Sequence, residues 1–244
     1  MKKNIIEVSN FSMSFDGVSI IKNISFTLDS GETLALLGSN GSGKTTIIRA
    51  LLGIYTASSG KLMIYGKPFS AKNNLKIGYL PEERGLYKKE AVLITMVYFG
   101  QLKGMSKDDA IKFTKKYLER VDMKDKENTP IEKLSGGQQQ KIQIGITIMN
   151  NPDILILDEP TKGLDPLNRK LLNEIIQERQ LAGATIILIT HQMDEVESLA
   201  NKVILLKDGE IVLNGSLDSI KSEFNNKSLD DIYIEVYQKF NQKI

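Results

Sequence analysis

The chain reads as an α/β protein with a mostly parallel sheet, a helical insertion and some antiparallel β structure at its edge. Three observations predict this. Buried-strand runs at Thr33–Leu37, Ile154–Leu157 and Thr185–Thr190 alternate with helical patterns at about Gly43–Leu52 and Pro166–Leu181. Between them, from about residue 83 to 150, the pattern is mainly helical. Short β-like runs open the chain, and Asp208-Gly209 joins two more near its end.

At 244 residues the chain can bury a substantial core as one domain over 1–244, with the insertion at 83–150 and a helical tail at 216–244. Apolar residues at 41% and charged residues at 25% make an ordinary globular balance. A net charge of +2 gives no reason to expect nucleic acid or an anionic membrane as main partner. The absence of cysteine excludes disulfides and thiolate metal sites. The start, Met1 to Glu7, lacks the apolar run of a signal peptide, and stretches such as Ile186–Ile189 and Ala91–Val97 are too short to cross a bilayer. The expectation is a cytoplasmic protein that meets a membrane only through a partner.

Taken in order, Ile5–Val8, Ile20–Leu28 and Lys61–Tyr65 have strand composition, with Asp16-Gly17 and Asp29-Ser30-Gly31 as turns. Thr33–Leu37 follows as a buried strand, then a glycine-rich loop and a helix that Gly53 can stop. In the insertion, Ser106-Lys107-Asp108-Asp109 resembles a capping box, and Ala110, Phe113, Tyr117 and Val121 recur at helical spacing. The helix over Pro166–Leu181 carries apolar Leu167, Leu171, Leu172, Ile175 and Ile176. Val203–Leu206 and Glu210–Leu213 flank the Asp208-Gly209 hairpin signal.

Gly38-Ser39-Asn40-Gly41-Ser42-Gly43-Lys44-Thr45 fits GxxxxGK[ST] and lies between a strand and a helix, as that pattern requires. Its glycines let successive N–H groups turn inward on phosphate oxygens, and the helix start adds its positive end. Lys44 is suited to neutralise β- and γ-phosphates and the Thr45 hydroxyl to ligate Mg²⁺, and Thr46 beside them is counted among the nucleotide-binding residues. The competing reading is an ordinary glycine-rich turn. Ile154–Leu157 runs into Asp158-Glu159, two adjacent carboxylates that are costly at the end of a buried strand unless a cation or hydrogen bonds satisfy them. Beside a phosphate loop, Asp158 reads as a Mg²⁺ ligand and Glu159 as general base for an attacking water; alone, such a pair is usually a solvated loop.

Leu134-Ser135-Gly136-Gly137-Gln138 stands after Lys44 and just before Asp158. With that order the chain resembles an ABC ATPase from end to end, which implies a P-loop NTPase core with an antiparallel β subdomain and an inserted α-helical subdomain. The resemblance implies ATP and Mg²⁺ as ligands. It also implies a head-to-tail dimer, with a second copy or a homologous subunit, in which Ser135, Gly136, Gly137 and Gln138 face the γ-phosphate held by the other protomer. Phe15 matches the aromatic that stacks on adenine, although a core role fits it equally. Asp165, in Gly163-Leu164-Asp165, falls at the D-loop and before Pro166 is also an ideal N-cap. His191, the single histidine, matches the switch position that contacts the γ-phosphate, against a plain structural role.

One position departs from the family. After Ile77-Gly78-Tyr79-Leu80-Pro81 the Q-loop glutamine is replaced by Glu82, whose oxygen can still ligate Mg²⁺ but adds negative charge near the phosphates. The run Pro81-Glu82-Glu83-Arg84-Gly85-Leu86-Tyr87 resembles bacterial exporter ATPases of the ABC-2 type, so a transmembrane permease is the expected partner and export the expected direction. A tail helix from Ser228 with Leu229, Ile232, Tyr233, Val236, Tyr237 and Phe240 on one face has two readings, packing on its own core or contacting a partner. The rivals are a non-transport ABC ATPase acting on ribosomes or DNA, and a nucleotide-binding scaffold without turnover. The first typically carries fused nucleotide domains or a coiled-coil insertion, which are not seen here. Glu159 and His191 argue against the second.

Overall fold

The computed structural model describes residues 4–68, 77–83 and 85–242. Met1–Lys3, Arg84 of the Pro81–Tyr87 run, and the last two residues of the tail lie outside the described residues. In chain order the strands are β1 (Asn4–Phe15), β2 (Val18–Asp29), β3 (Thr33–Gly38), β4 (Ser59–Ile64), β5 (Lys67–Pro68), β6 (Ile77–Leu80), β7 (Ile154–Asp158), β8 (Thr185–Ile189), β9 (Lys202–Lys207) and β10 (Glu210–Ser216). The α-helices are α1 (Lys44–Leu51), α2 (Val92–Leu102), α3 (Lys107–Arg120), α4 (Gly136–Ile148), α5 (Pro166–Leu181), α6 (Met193–Leu199), α7 (Leu217–Glu223) and α8 (Leu229–Asn241). The chain folds as two compact units, Met1–Asn74 with Gly183–Ile244, and Leu75–Ala182.

In the first unit, β2, β1, β4 and β5 form an antiparallel sheet in that order. Asp16 (φ 49°) and Gly17 (φ 79°) make the tight β1–β2 turn, both left-handed as a turn that follows strand twist requires. β1 runs well past the Ile5–Val8 segment that the sequence marks out. Ser9-Asn10 breaks the alternation, but Asn10 adopts φ 49° at a register shift. The strand therefore continues in a new phase, with Phe11 and Met13 buried. All six residues of β3 are buried, the continuous apolar run of a strand covered on both faces. β3 pairs in parallel with β8 and β9, and β9 returns antiparallel as β10 through Asp208 and Gly209.

The tail helix packs on this unit's own core. Leu229, Ile232 and Val236 of α8 are buried together with Ala35 and Leu37 of β3, Val203 and Leu205 of β9, and Leu217 and Ile220 of α7. Each of the Leu, Ile and Val side chains among them contributes about 1.5–3 kcal/mol by leaving water. Ser228 caps the helix by accepting the Asp231 N–H at 3.1 Å.

In the second unit β6 and β7 are parallel, Ile77 opposite Ile154 and Leu80 opposite Leu157. Helix begins only at Val92, not near residue 83. In the preceding stretch the carbonyls of Lys88 and Glu90 accept the N–H groups of Glu132 and Ile131, so that backbone is committed to a neighbouring segment. Ser106 caps α3 as expected, accepting the Asp109 N–H. The return contact differs, because the Ser106 hydroxyl donates to the short Asp109 carboxylate where a full capping box reaches the cap's N–H. Ala110, Thr114, Tyr117 and Leu118 form the buried face of α3; Phe113 is only half-buried and stacks on Tyr117 at 6.0 Å. Leu172, Ile175 and Ile176 carry the packing of α5, whereas Leu167 is 78% exposed.

Three glycines set the layer spacing of this unit. A Cβ at Gly78 of β6 would lie 2.8 Å from the Leu155 side chain and closer still to the Thr147 carbonyl of α4. A Cβ at Gly145 of α4 would meet the Tyr117 ring of α3, and one at Gly100 of α2 would lie 2.8 Å from the Ala110 Cβ of α3. The Tyr117 hydroxyl donates to the Lys141 carbonyl at 2.6 Å, pinning the same α3–α4 contact.

Candidate functional site

The residues singled out by the sequence fall in both units. Phe15, the Gly38–Thr46 run and His191 belong to the first. Glu82, Ser135, Gly136, Gly137, Gln138, Asp158, Glu159 and Asp165 belong to the second.

In the first unit the loop leaves β3 at Gly38 and enters α1 at Lys44. Gly38 (φ 151°) and Gly43 (φ 107°) leave no room for a side chain: a Cβ would meet the Leu206 carbonyl at 2.5 Å in the first case and the Ile21 side chain in the second. Gly43 is the N-cap of α1 and offers no side-chain cap; no acid stands in the first turn. The helix N–H groups are thus left for something other than the chain's own side chains. Lys44, 9% exposed, folds over the loop and donates to the Gly38 and Ser39 carbonyls at 2.7 and 2.9 Å. The buried Ser42 hydroxyl has no hydrogen-bond partner among the described residues. Thr45 is exposed.

Because β3 and β8 are parallel, the loop after β3 and Thr190-His191 after β8 emerge at the same edge, where α/β sheets place their ligands. His191 is exposed there. Phe15 ends β1 at 40% exposure, with its ring edge-on to Tyr55 at 5.1 Å. It is a surface ring, which removes the core alternative.

In the second unit β6 and β7 are parallel with Leu80 opposite Leu157, so Glu82 and Glu159 leave the same edge in register. Asp158 closes β7 and is buried, as is Glu159, which adopts φ 50°. A non-glycine residue in that region costs on the order of 1–3 kcal/mol and persists where its surroundings hold it. Gln140 of α4 is one such restraint: its amide donates to the Pro160 carbonyl at 2.7 Å and lies 3.5 Å from that of Glu159. Glu82, Gln140, Glu159 and Lys162 line one cleft.

Glu82 is ion-paired with Lys162 at 2.6 Å. That contact, with Glu159 and Asp158 behind it, raises the Lys162 pKa above its ordinary value. The charge that Glu82 brings is therefore matched locally by a lysine. Lys162 and Gln140 fall outside the motifs legible in the sequence. The available signals were a cation three residues after Glu159, and an amide one helical turn from Gly136 on α4.

Ser135 opens α4 with a complete capping box: its hydroxyl accepts the Gln138 N–H, and the Gln138 side chain accepts the Ser135 N–H at 2.9 Å. Two of the donors at this helix end are thus spent internally. Asp165 caps α5 by accepting the Asn168 N–H at 3.0 Å, and that bond holds its carboxyl below the usual carboxylate range. Ser135, Gly137, Gln138 and Asp165 share a second cleft with Lys141 and Asn168.

Comparison with known proteins bears on the family and the fold. The profile of the ABC transporter family matches residues 21–162. YhaQ, an ABC transporter ATP-binding protein of Bacillus subtilis (strain 168), is 38% identical over 225 residues, 92% of this chain and 76% of that protein. The Nod factor export ATP-binding protein I of Rhizobium sp. (strain N33) is 34% identical over 91% of this chain and 74% of its own length. Among solved structures, one described as the ATP binding subunit of an ABC transporter superposes with a TM-score of 0.87 at 27% identity, covering 96% of this chain and 99% of that one. The chain belongs to the ABC transporter family, in its ATP-binding class. The fold is that of an ABC ATPase domain, and no helix among the described residues is long and apolar enough to cross a membrane.

Proposed function

We propose that this chain hydrolyses ATP as one half of a head-to-tail pair of ATPase subunits and drives export through a separate membrane permease. The observation that carries the reading is the phosphate loop: an uncapped helix start, glycines that exclude side chains, and a buried lysine folded over the loop. Similarity to a Nod factor export protein supports the direction of transport.

The roles follow from the chemistry of each group. Phe15 presents an exposed ring on which a base can stack. N–H groups from Gly38 through Thr46 and the start of α1 hold the phosphates, with Lys44 supplying the positive charge. Among the described residues no cluster of three His, Asp or Glu side chains could hold a metal alone. Thr45 of the first unit and Asp158 and Glu82 of the second each carry a hard oxygen of the kind Mg²⁺ takes, and that ion is commonly held by one or two protein oxygens together with substrate phosphates. When bound, Mg²⁺ neutralises charge developing on the phosphate oxygens. Glu159 takes the proton of the attacking water, and His191 contacts the γ-phosphate. Ser135, Gly136, Gly137, Gln138 and Asp165 act on the nucleotide of the partner copy. For that, the Ser135–Gln138 box has to open or to turn its remaining N–H groups on the anion.

Closure of the pair over two ATP molecules is the working step, because γ-phosphate contacts across it exist only when it is closed. Glu159→Gln tests the reading. ATP binding should persist while kcat falls by roughly 10²–10⁴, the range of a general base. An ATP-bound dimer should then accumulate in size-exclusion runs. Normal turnover by this variant rules out Glu159 as the base.

A further inference from the structure

The tail helix does more than cover the core of its unit: it reaches the phosphate loop. The Tyr237 hydroxyl accepts the Ser39 N–H at 2.8 Å and donates its own proton to the Leu206 carbonyl at 3.1 Å. One side chain of α8 thereby ties the first turn of the loop to the end of β9. The same peptide is held from its other side too, since its Gly38 carbonyl accepts from Lys44 at 2.7 Å, and the next peptide's Ser39 carbonyl accepts from Lys44 and from the Ser42 N–H at 3.1 Å.

The helix is anchored at this point by a buried cation. Lys207, 6% exposed, donates to the Tyr237 carbonyl at 3.2 Å and to the Asn241 side chain. It also lies 4.7 and 4.9 Å from the ring centres of Tyr237 and Phe240. The Tyr237 ring also stacks on Tyr233 at 4.5 Å. Such a fixed ring can aim its hydroxyl with little freedom left to lose.

We infer that Tyr237 is a positioning residue for nucleotide binding, holding the phosphate loop in its binding-competent shape from the C-terminal helix. This rests on the reading of that loop as the ATP site. Ser39 is exposed, so water can take its N–H when the hydroxyl is gone, but water does not fix the direction of the peptide. Without the tie the loop spreads over several conformations, and apparent affinity falls in proportion to the competent fraction.

The test uses the full chain and Tyr237→Phe, which keeps the ring, its stacking and its contact with Lys207. The expected result is a Kd for Mg-ATP and a KM both raised roughly three- to tenfold, as for a competent fraction reduced by that factor. The kcat should stay within about twofold, and amide exchange at Ser39 should be faster than in the wild type. Leu229→Ala is the control: it loosens the packing of the first turn of α8, about two turns before Tyr237, so it should lower Tm and leave Kd unchanged. A Tyr237→Phe protein that binds Mg-ATP as tightly as wild type overturns the inference, whatever its Tm. Failure of the wild-type chain itself to bind Mg-ATP is a different result, and it overturns the underlying site reading.

Discussion

Gln140→Leu is the substitution that most directly tests how the Glu159 turn is held. Gln140 is 5% exposed and its amide satisfies the buried Pro160 carbonyl at 2.7 Å. Leucine has similar bulk but no donor, so that carbonyl is left without a partner in a dry setting. An orphaned buried acceptor costs about 1–3 kcal/mol, which for a chain of this size lowers Tm by roughly 2–12 °C. The longer contact to the Glu159 carbonyl, 3.5 Å, adds little to that figure. Glu159 sits in a left-handed conformation next to the lost contact, so relaxation of the turn should move its carboxylate. Displacement of a reacting group by about 1 Å can cost on the order of 10²-fold in rate. The assays are urea unfolding followed at equilibrium, and steady-state ATPase kinetics on the same preparation. A variant with wild-type stability and wild-type kcat shows that Gln140 does not hold the turn; reduced stability with unchanged kcat separates folding from catalysis and refutes the positional half of the argument.

Three further predictions concern charge. Glu82 and Lys162 are 52% and 64% exposed, so a double-mutant cycle on stability should give a coupling of only about 0.2–1 kcal/mol. The same lysine should mask Glu82 from the phosphates. The gain in metal-free ATP affinity from Glu82→Gln should then be larger in a Lys162→Ala background than in the wild type, and equal gains would show that the pair does not act on the site. Lys103 donates to the Thr147 carbonyl at 2.8 Å, and burial lowers its pKa from 10.5 to about 8. Between about pH 8 and 10.5 the unfolded chain holds that proton and the folded one does not, so stability should rise with pH across this window. Lys103→Met should flatten the rise in chemical denaturation series, and a slope that survives the substitution must come from another group.

What the sequence disclosed and what it hid divide along physical lines. The buried runs of β3, β7 and β8 and the loop after β3 were legible, because an apolar run bounded by glycine punctuation is a local property. So was the α8 face, since Leu229, Ile232 and Val236 recur at helical spacing. The length of β1 was hidden by a bulge at Asn10, which breaks the alternation without ending the strand. Residues 85–91 read as helix because the partners that hold their backbone in a non-helical path come from around Thr129–Glu132, some forty positions on. At the candidate site, motif residues were named by spacing, but their supporting contacts were not. Lys162, Gln140 and Tyr237 act through partners at separations of 80, 20 and 198 residues, which no local pattern encodes. Leu167 was the opposite case, an apolar residue on a helical stripe that turned out to face outward.

The three glycine contacts of the second unit have a mechanical consequence. Where Gly78 meets Thr147, Gly145 meets Tyr117 and Gly100 meets Ala110, strand and helices touch with almost no side-chain thickness between them. Interdigitated side chains can slip by changing rotamer, but backbone laid on backbone or on a single ring has no such compliance. β6, α4, α3 and α2 should therefore move together as one stiff plate. On the proposed reading, a push on Glu82, just beyond β6, should reach Ser135 at the tip of α4 as displacement, with little of it absorbed as strain along the way.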